Sequence, residues 1–274
     1  MYYLKKFETD ADYLTYINGE DVLLPNVSYC ANEVHVHYNP FVERLVVKYN
    51  VEDASQPTLL YQYGAEAGDL RYEKIEIDGV NVPVAELDTE EGMYEFSTVG
   101  EHTVKYTLID PTTIGLAAFA ACSGLSSITI PDSVTTIGQE AFADCNGLTS
   151  IGIPDSVTSI GEGVFANCSG LASVTIGNGV TSISNGAFAN CGGLEGVTIP
   201  NNVRSIGNQA FVGCGKLTTI TSLATTAPTI QNDTFQDVKT NGTLTVPSGS
   251  TGYDVWMGTG DYYLGKYGWT KVEQ

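Results

Sequence analysis

Residues 153–175 read "IPDSVTSIGEGVFANCSGLASVT", and almost the same words stand one period earlier and one period later, each with its own phenylalanine and cysteine. Aligned on itself, the chain repeats every 23 residues. Phenylalanine recurs at Phe119, Phe142, Phe165, Phe188 and Phe211. Three residues later come Cys122, Cys145, Cys168, Cys191 and Cys214, and three later again Leu125, Leu148, Leu171, Leu194 and Leu217. Aliphatic residues follow in two rows, Ile128, Ile151, Val174, Val197 and Ile220, then Ile130, Ile153, Ile176 and Ile199. A unit this short cannot bury its own apolar face, so identical units must stack and bury one another: a solenoid.

Within one coil, Leu-x-x-Ile-x-Ile ends in β-branched residues at period two, which predicts a short strand over Ser127–Ile130 and its equivalents. Pro131, Pro154 and Pro200 end that strand in three coils, and Gly177 takes the place in a fourth. The Ala-Phe-Ala-x-Cys stretch, with apolar residues three apart, predicts one or two helical turns stopped by Gly124, Gly147, Gly170 and Gly193. Helical turns stacked side by side would hold successive cysteines about 8–10 Å apart, beyond the roughly 7 Å reach of a disulfide. The five are therefore expected to be free, buried thiols filling a packing position. Neither histidine nor Cys-x-x-Cys accompanies them, so no metal ladder is expected. Cys30 is off the period.

These residues resemble the BspA-like leucine-rich repeat family, whose units look like "IPDSVTSIGxxAFxxCxxLxSVT". The resemblance covers residues 112–222, with departures at Ser184 and Lys216, where the other coils carry glycine. It implies a solenoid of the leucine-rich-repeat type; with the residue patterns, the fold expected is that solenoid, of short strands and short helical turns, preceded by a small antiparallel β-sandwich-like domain. The family's surface-exposed, adhesive proteins of gut and oral bacteria imply binding and not catalysis. The expectation is a cell-surface or secreted adhesion protein facing a host extracellular protein or glycan. The alternative is a structural or host-recognition component of a bacteriophage tail or other particle, hence virion-associated.

Outward from the repeats the pattern changes. Residues 45–110 alternate, as in Leu45-Val46-Val47-Lys48-Tyr49 and Lys74-Ile75-Glu76-Ile77, and Asp78-Gly79 is a strong two-residue hairpin signal. The stretch "STVGEHTVKYTL" resembles a closing strand of an immunoglobulin-like sandwich, with a simple β cap on the solenoid as the other reading. A capping box around Thr9 and Asp12 suggests a short helix ending near Gly19. The division expected is a lead segment 1–40, a β domain 41–111, the solenoid 112–235 and a C-terminal cap 236–274.

The 274 residues carry a net charge of −20, and residues 1–111 hold 21 of the 32 acidic side chains. No basic stripe offsets that field, so nucleic acid is not an expected partner. No apolar run reaches the roughly 18 residues of a membrane helix, and the start, Met1 to Asp10, lacks the apolar stretch of a signal peptide.

Candidate sites are few. All sixteen tyrosines avoid the repeats, and Tyr253, Trp256, Tyr262, Tyr263, Tyr267 and Trp269 crowd the tail. They are read either as an aromatic platform for a sugar ring or partner, or as a plug for the end of the core. The outward strand positions, such as Ser150, Thr175 and Thr198, are small and hydroxylated and lack the aromatic or arginine anchors of tight interfaces. His35 and His37 alternate on one face but make too few ligands for zinc. The carboxylates Asp10/Asp12 and Asp88/Glu90/Glu91 read as solvated loop charge, without the spacing of a calcium loop. No phosphate loop or nucleophile elbow is present, so no catalytic residue, metal or cofactor is assigned.

Overall fold

The computed structural model describes residues 27–30, 33–36, 44–55, 58–60, 72–82, 92–108, 111–231, 233–260 and 262–274. The chain divides into two units, residues 1–42 and 43–274. In the first, strands β1 (Val27–Cys30) and β2 (Glu33–Val36) pair antiparallel. The helix expected between Thr9 and Gly19, His37 and the two carboxylate clusters lie outside the described residues.

The second unit begins with β3 (Leu45–Val51), β4 (Thr58–Leu59), β5 (Tyr72–Ile77), β6 (Val80–Val82), β7 (Met93–Tyr94) and β8 (Gly100–Leu108). Period two sorts their faces: Leu45, Val47, Tyr49 and Val51 are buried, as are Val104, Tyr106 and Leu108. The Asp78-Gly79 hairpin forms as expected, with Ile77 opposite Val80 and φ of 50° and 84° at its two loop residues. That double left-handed turn matches the twist of the flanking strands. A sandwich is not what these strands build among the described residues. Strands β3, β8, β5 and β6 lie side by side in the same sheet as the coils, with only the short pair β4 and β7 apart.

The coils supply β9 (Thr113–Ile114), β10 (Leu125–Thr129), β11 (Thr136–Ile137), β12 (Ser150–Ile153), β13 (Ser159–Ile160), β14 (Ser173–Ile176), β15 (Ser182–Ile183), β16 (Gly196–Ile199), β17 (Ser205–Ile206), β18 (Thr219–Ser222), β19 (Thr243–Val246) and β20 (Thr270–Glu273). From β10 to β20, seven strands run parallel in the order 10, 12, 14, 16, 18, 19, 20, and β10 meets β3 antiparallel. The short strands form a second ladder of β9, β11 and β13, then a separate pair, β15 and β17.

The third side of each coil corrects the sequence expectation. The Ala-Phe-Ala-x-Cys stretches are chains of tight turns and not helices; among the described residues the single helical piece is a 3-10 turn at Leu264–Tyr267. Two left-handed residues four apart break each stretch: Ala117/Ala121, Glu140/Asp144, Gly163/Asn167, Gly186/Asn190 and Gln209/Gly213, all with φ between 52° and 69°. A left-handed residue cannot sit inside an α-helix. The turns close on themselves through bonds such as Cys168 N–H to the Phe165 carbonyl at 3.2 Å, while alternate N–H groups point along the stack. Phe142 N–H thus donates to the Val164 carbonyl and Phe165 N–H to that of Ala187, both at 2.9 Å. The turn side of the coils is thus joined by backbone as the strand sides are, with the short-strand ladder interrupted between β13 and β15.

Inside, the phenylalanines form one column. Rings of Phe119, Phe142, Phe165, Phe188, Phe211 and Phe235 follow at 5.4–5.8 Å with interplanar angles of 1–15°. Tyr106 closes the column edge-on at one end and Trp256, tilted by 50°, at the other. The five periodic cysteines are free and buried, as expected. Distance is not the reason, because coils sit one hydrogen-bonded strand apart, about 4.8 Å. The side chains run in register, and Cys145, Cys168, Cys191 and Cys214 each donate Sγ–H to the phenylalanine carbonyl of the coil before, at 3.0–3.2 Å. Burial pushes the thiols up, Cys168 and Cys214 to about 12.

The stack ends in two layers. Tyr253 and Trp256 are buried against the last coil, their polar atoms donating to Ser222 Oγ (2.6 Å) and to the carbonyls of Ala224 (2.8 Å) and Pro228 (3.0 Å). Trp269 donates to the Lys239 carbonyl at 2.7 Å. Beyond them, β20 places Lys271 and Glu273 opposite the core residues Leu244 and Val246, so its inward positions are charged. Lys271 reaches Glu273 at 3.3 Å and Asp254 at 3.6 Å.

Replacing Phe165 by alanine opens a cavity in the middle of the column and is expected to cost roughly 3–5 kcal/mol in chemical denaturation. A loss below about 1 kcal/mol would show that the column is not the core. The five periodic thiols should resist a thiol reagent in the native protein and all react after denaturation; several fast native thiols would contradict their burial.

Candidate binding site

A recess lies where the antiparallel cap meets the first coil. The register between β10 and β3 slips between Leu125 and Ser127, a bulge at the change from antiparallel to parallel pairing. Beside it opens a cleft of about 870 Å3. Asn50, Glu52, Asp53 and Thr58 form one wall, Met93 and Glu101 another, and Ser123, Ser126, Asn146 and Thr149 of the first two coils the third. Its floor includes buried Val51 and half-buried Met93.

Three carboxylates rim this cleft. Asp53 accepts from Ser55 Oγ at 2.7 Å and Ser55 N–H at 2.9 Å, and those bonds hold its carboxyl below the usual range. Glu101 pairs with Lys48 at 2.7 Å, both exposed, a contact worth little in stability but fixed in place. An apolar floor under an acidic rim suits a lysine or arginine side chain, whose stem prefers apolar surface while its head stays charged. Sequence reading missed this site because its residues come from six separate segments. The signal it did carry was the crowding of acidic residues before residue 112.

The expected sites fall apart in space. Of the six tail aromatics, Tyr253, Trp256 and Trp269 are buried and plug the core, while Tyr262 is exposed and Tyr263 and Tyr267 are half-buried. A platform of all six is therefore corrected: the buried three have no face left for a ligand. Tyr267 is tied down as well, its hydroxyl accepting from Asp237 N–H at 3.0 Å. The outward strand face is flat and hydroxylated, with Ser150, Ser173, Thr175, Thr198 and Thr219 exposed. His35 stands on β2. Among the described residues no group of three or more His, Cys, Asp or Glu side chains is placed to hold a metal. No helix among them is long and apolar enough to cross a membrane.

One titratable pair sits near the cleft's β8 wall. His102 Nδ1 lies 2.6 Å from Asp78 Oδ2, and Nε2 lies 2.9 Å from the Thr98 carbonyl. Both ring nitrogens face acceptors, which the doubly protonated imidazolium alone satisfies. Phe96 packs on the ring at 4.3 Å. Burial alone would lower the histidine pKa, but the bonds to Asp78 and Thr98 outweigh it and the net shift is upward. For Asp78 burial works upward, and the bonds from His102 and Thr103 N–H bring the net shift down.

Short parallel strands on a repeating Leu, Ile, Val and Phe core, stacked in register, define a leucine-rich-repeat solenoid. Residues 112–242 match the BspA type leucine rich repeat region in six copies, and this stretch is a BspA-type leucine-rich repeat region. Among solved structures the chain is similar to a leucine-rich repeat protein from Bacteroides ovatus, 28% identical over 51% of this chain and 36% of that one, TM-score 0.45. It is also similar to a leucine rich cell surface protein from Faecalibacterium prausnitzii, 28% identical over 49% of this chain and 34% of that one, TM-score 0.39. A leucine-rich repeat protein from Bacteroides capillosus is 35% identical over 32% of this chain and 63% of its own, TM-score 0.28. The chain spans about a third of the length of the first two of these proteins. No curated protein shows significant similarity to it.

The His102–Asp78 pair yields a pH test. A raised histidine pKa stabilises below the unfolded value, about 6.5, and that contribution is lost as pH rises through the higher folded value. The lowered Asp78 pKa stabilises above about 3.9 and is lost as pH falls through the folded value. The denaturation midpoint should therefore drop as pH rises above about 6.5, and a His102→Gln variant should lose most of that slope. An equal slope in the variant would remove His102 from the account.

Proposed function

We propose that this is a non-catalytic binding protein of the bacterial surface, which holds an extracellular host partner at the junction of its β cap and its repeats. The observation that carries the reading is the cleft rimmed by Glu52, Asp53 and Glu101 over the floor of Val51 and Met93. A partner that fits is an extracellular protein presenting lysine or arginine on an exposed segment. The overall charge of −20 favours such a partner at long range and speeds its encounter. The first two coils, joined by backbone hydrogen bonds along their turns and short strands, keep the cleft's shape when a partner arrives. Surface placement draws support from the printed description of the similar Faecalibacterium prausnitzii protein as a cell surface protein.

Immobilised intact protein should bind at least one member of a panel of host extracellular-matrix proteins, and high salt should weaken that binding. Glu52→Gln, Asp53→Asn and Glu101→Gln together should cost about tenfold or more in affinity, roughly 1.4 kcal/mol, without changing the melting temperature by more than a few degrees. Silence across the panel, or binding that ignores both salt and the triple variant, would overturn the reading.

A further inference from the structure

The second ladder breaks at one place among the described residues, between β13 and β15. The sequence departs at the same place. Gly115, Gly138, Gly161 and Gly207 share a position that holds Ser184 in the fourth coil. Here coils approach too closely for a side chain: a Cβ on Gly138 would lie 2.6 Å from the Gly115 carbonyl carbon, and one on Gly161 2.2 Å from the Gln139 nitrogen. The Gly138, Gly161 and Gly207 N–H groups each donate to an isoleucine carbonyl of the coil before at 2.8 Å. Ser184 reaches the equivalent acceptor, the Ile160 carbonyl, with its hydroxyl instead, at 2.7 Å. The side chain thus stands where two backbones would otherwise meet, and β13 and β15 do not pair with each other.

A recess of about 410 Å3 runs beside this break, over β15 and β17 from Glu162 to Gln231, within the roughly 300–1,000 Å3 range of small-molecule sites. Its polar lining comes from the hydroxyls of Ser182, Ser184 and Ser205, the amides of Asn185, Asn208 and Gln231, and the Glu162 carboxylate. Asn185 is held there, its Nδ2 donating to Glu162 Oε1 at 2.9 Å and its Oδ1 accepting from Asn208 N–H at 2.9 Å. No cation lines the recess, which argues against an anion, and one carboxylate is too few for a divalent ion. Apolar side chains are turned away: Ile183 and Ile206 are buried beneath it. What fits is a neutral ligand whose groups both donate and accept hydrogen bonds.

We propose that this recess over β15 and β17, beside the break at Ser184, is a binding site for a sugar of one or two rings, separate from the acidic cleft at the cap. Hydroxyl groups of a pyranose match amides and serines that also act in both senses. With no aromatic ring to stack on, the affinity is expected in the millimolar range. The site is independent of the proposed host-protein cleft, so either can fail alone.

The test is an NMR titration of the intact protein with cellobiose, lactose and N,N′-diacetylchitobiose, following the side-chain amides of Asn185, Asn208 and Gln231. At least one sugar should shift all three along a single saturable curve. Ser184→Gly restores the residue of the other coils, so it should fold at least as stably, remove one hydroxyl from the lining and weaken binding about tenfold or more. Asn208→Ala, which leaves the break open, should weaken it too. Absence of these shifts with all three sugars, or undiminished binding by Ser184→Gly, overturns the proposal.

Discussion

Successive coils of this protein lie one backbone hydrogen bond apart, about 4.8 Å, along the long strands and the turns, and along the short strands except between β13 and β15. The rest of the structure follows from that spacing. Flat rings are the large apolar groups that repeat comfortably at such a distance, and the phenylalanine column runs at 5.4–5.8 Å. A cysteine fits where a larger residue would not, and it adds a thiol donor aimed at the coil before. Glycine is required where two backbones touch with no room for a Cβ, as at Gly138 and Gly161. Outside, the same spacing makes ladders of like residues: Asn190 donates to Asn167 at 3.0 Å and Ser169 to Asn146 at 2.9 Å.

The strands, the stacking and the buried phenylalanines were legible because they are written in period, and a repeat states its packing five times over. The tight turns were not read correctly. Apolar residues three apart look helical, and the left-handed pairs that forbid a helix are spelled plainly in two coils, as Gly163/Asn167 and Gly186/Asn190, but as Ala117/Ala121 in another. Alanine gives no hint of a positive φ; only its place in the repeat does. The free thiols were anticipated on a premise that fails, since neighbouring coils are close enough for a bridge and orientation keeps the sulfurs apart. The acidic cleft was out of reach, because periodicity says nothing about where a strand from the cap meets the first coil.

The β cap and the aromatic tail perform the same task by unlike means. At the front, Tyr49 and Tyr106 both donate to the Leu60 carbonyl and start the column, while antiparallel strands extend the sheet. Glu76 braces those strands, accepting from Lys105 at 2.7 Å and Arg44 at 3.1 Å. At the back, two tryptophans and a tyrosine fill the last layer and bond backbone carbonyls that have no further coil to bond. Neither end imitates a coil, and this explains why residues outside the period carry all the tyrosine and tryptophan.

Lys271 and Glu273 hold the inward positions of the last strand, where the earlier parallel strands have aliphatic residues except for buried Ser222 on β18. A chain that gained a coil after β20 would have to lay apolar side chains on those charges, whereas a copy of an interior unit meets the same neighbours it left. Gene duplication can therefore lengthen this protein only from within. Each inserted 23-residue unit would move the two ends apart by about 4.8 Å and leave both caps untouched. The molecule is built to change its reach by whole steps while keeping what it carries at either end.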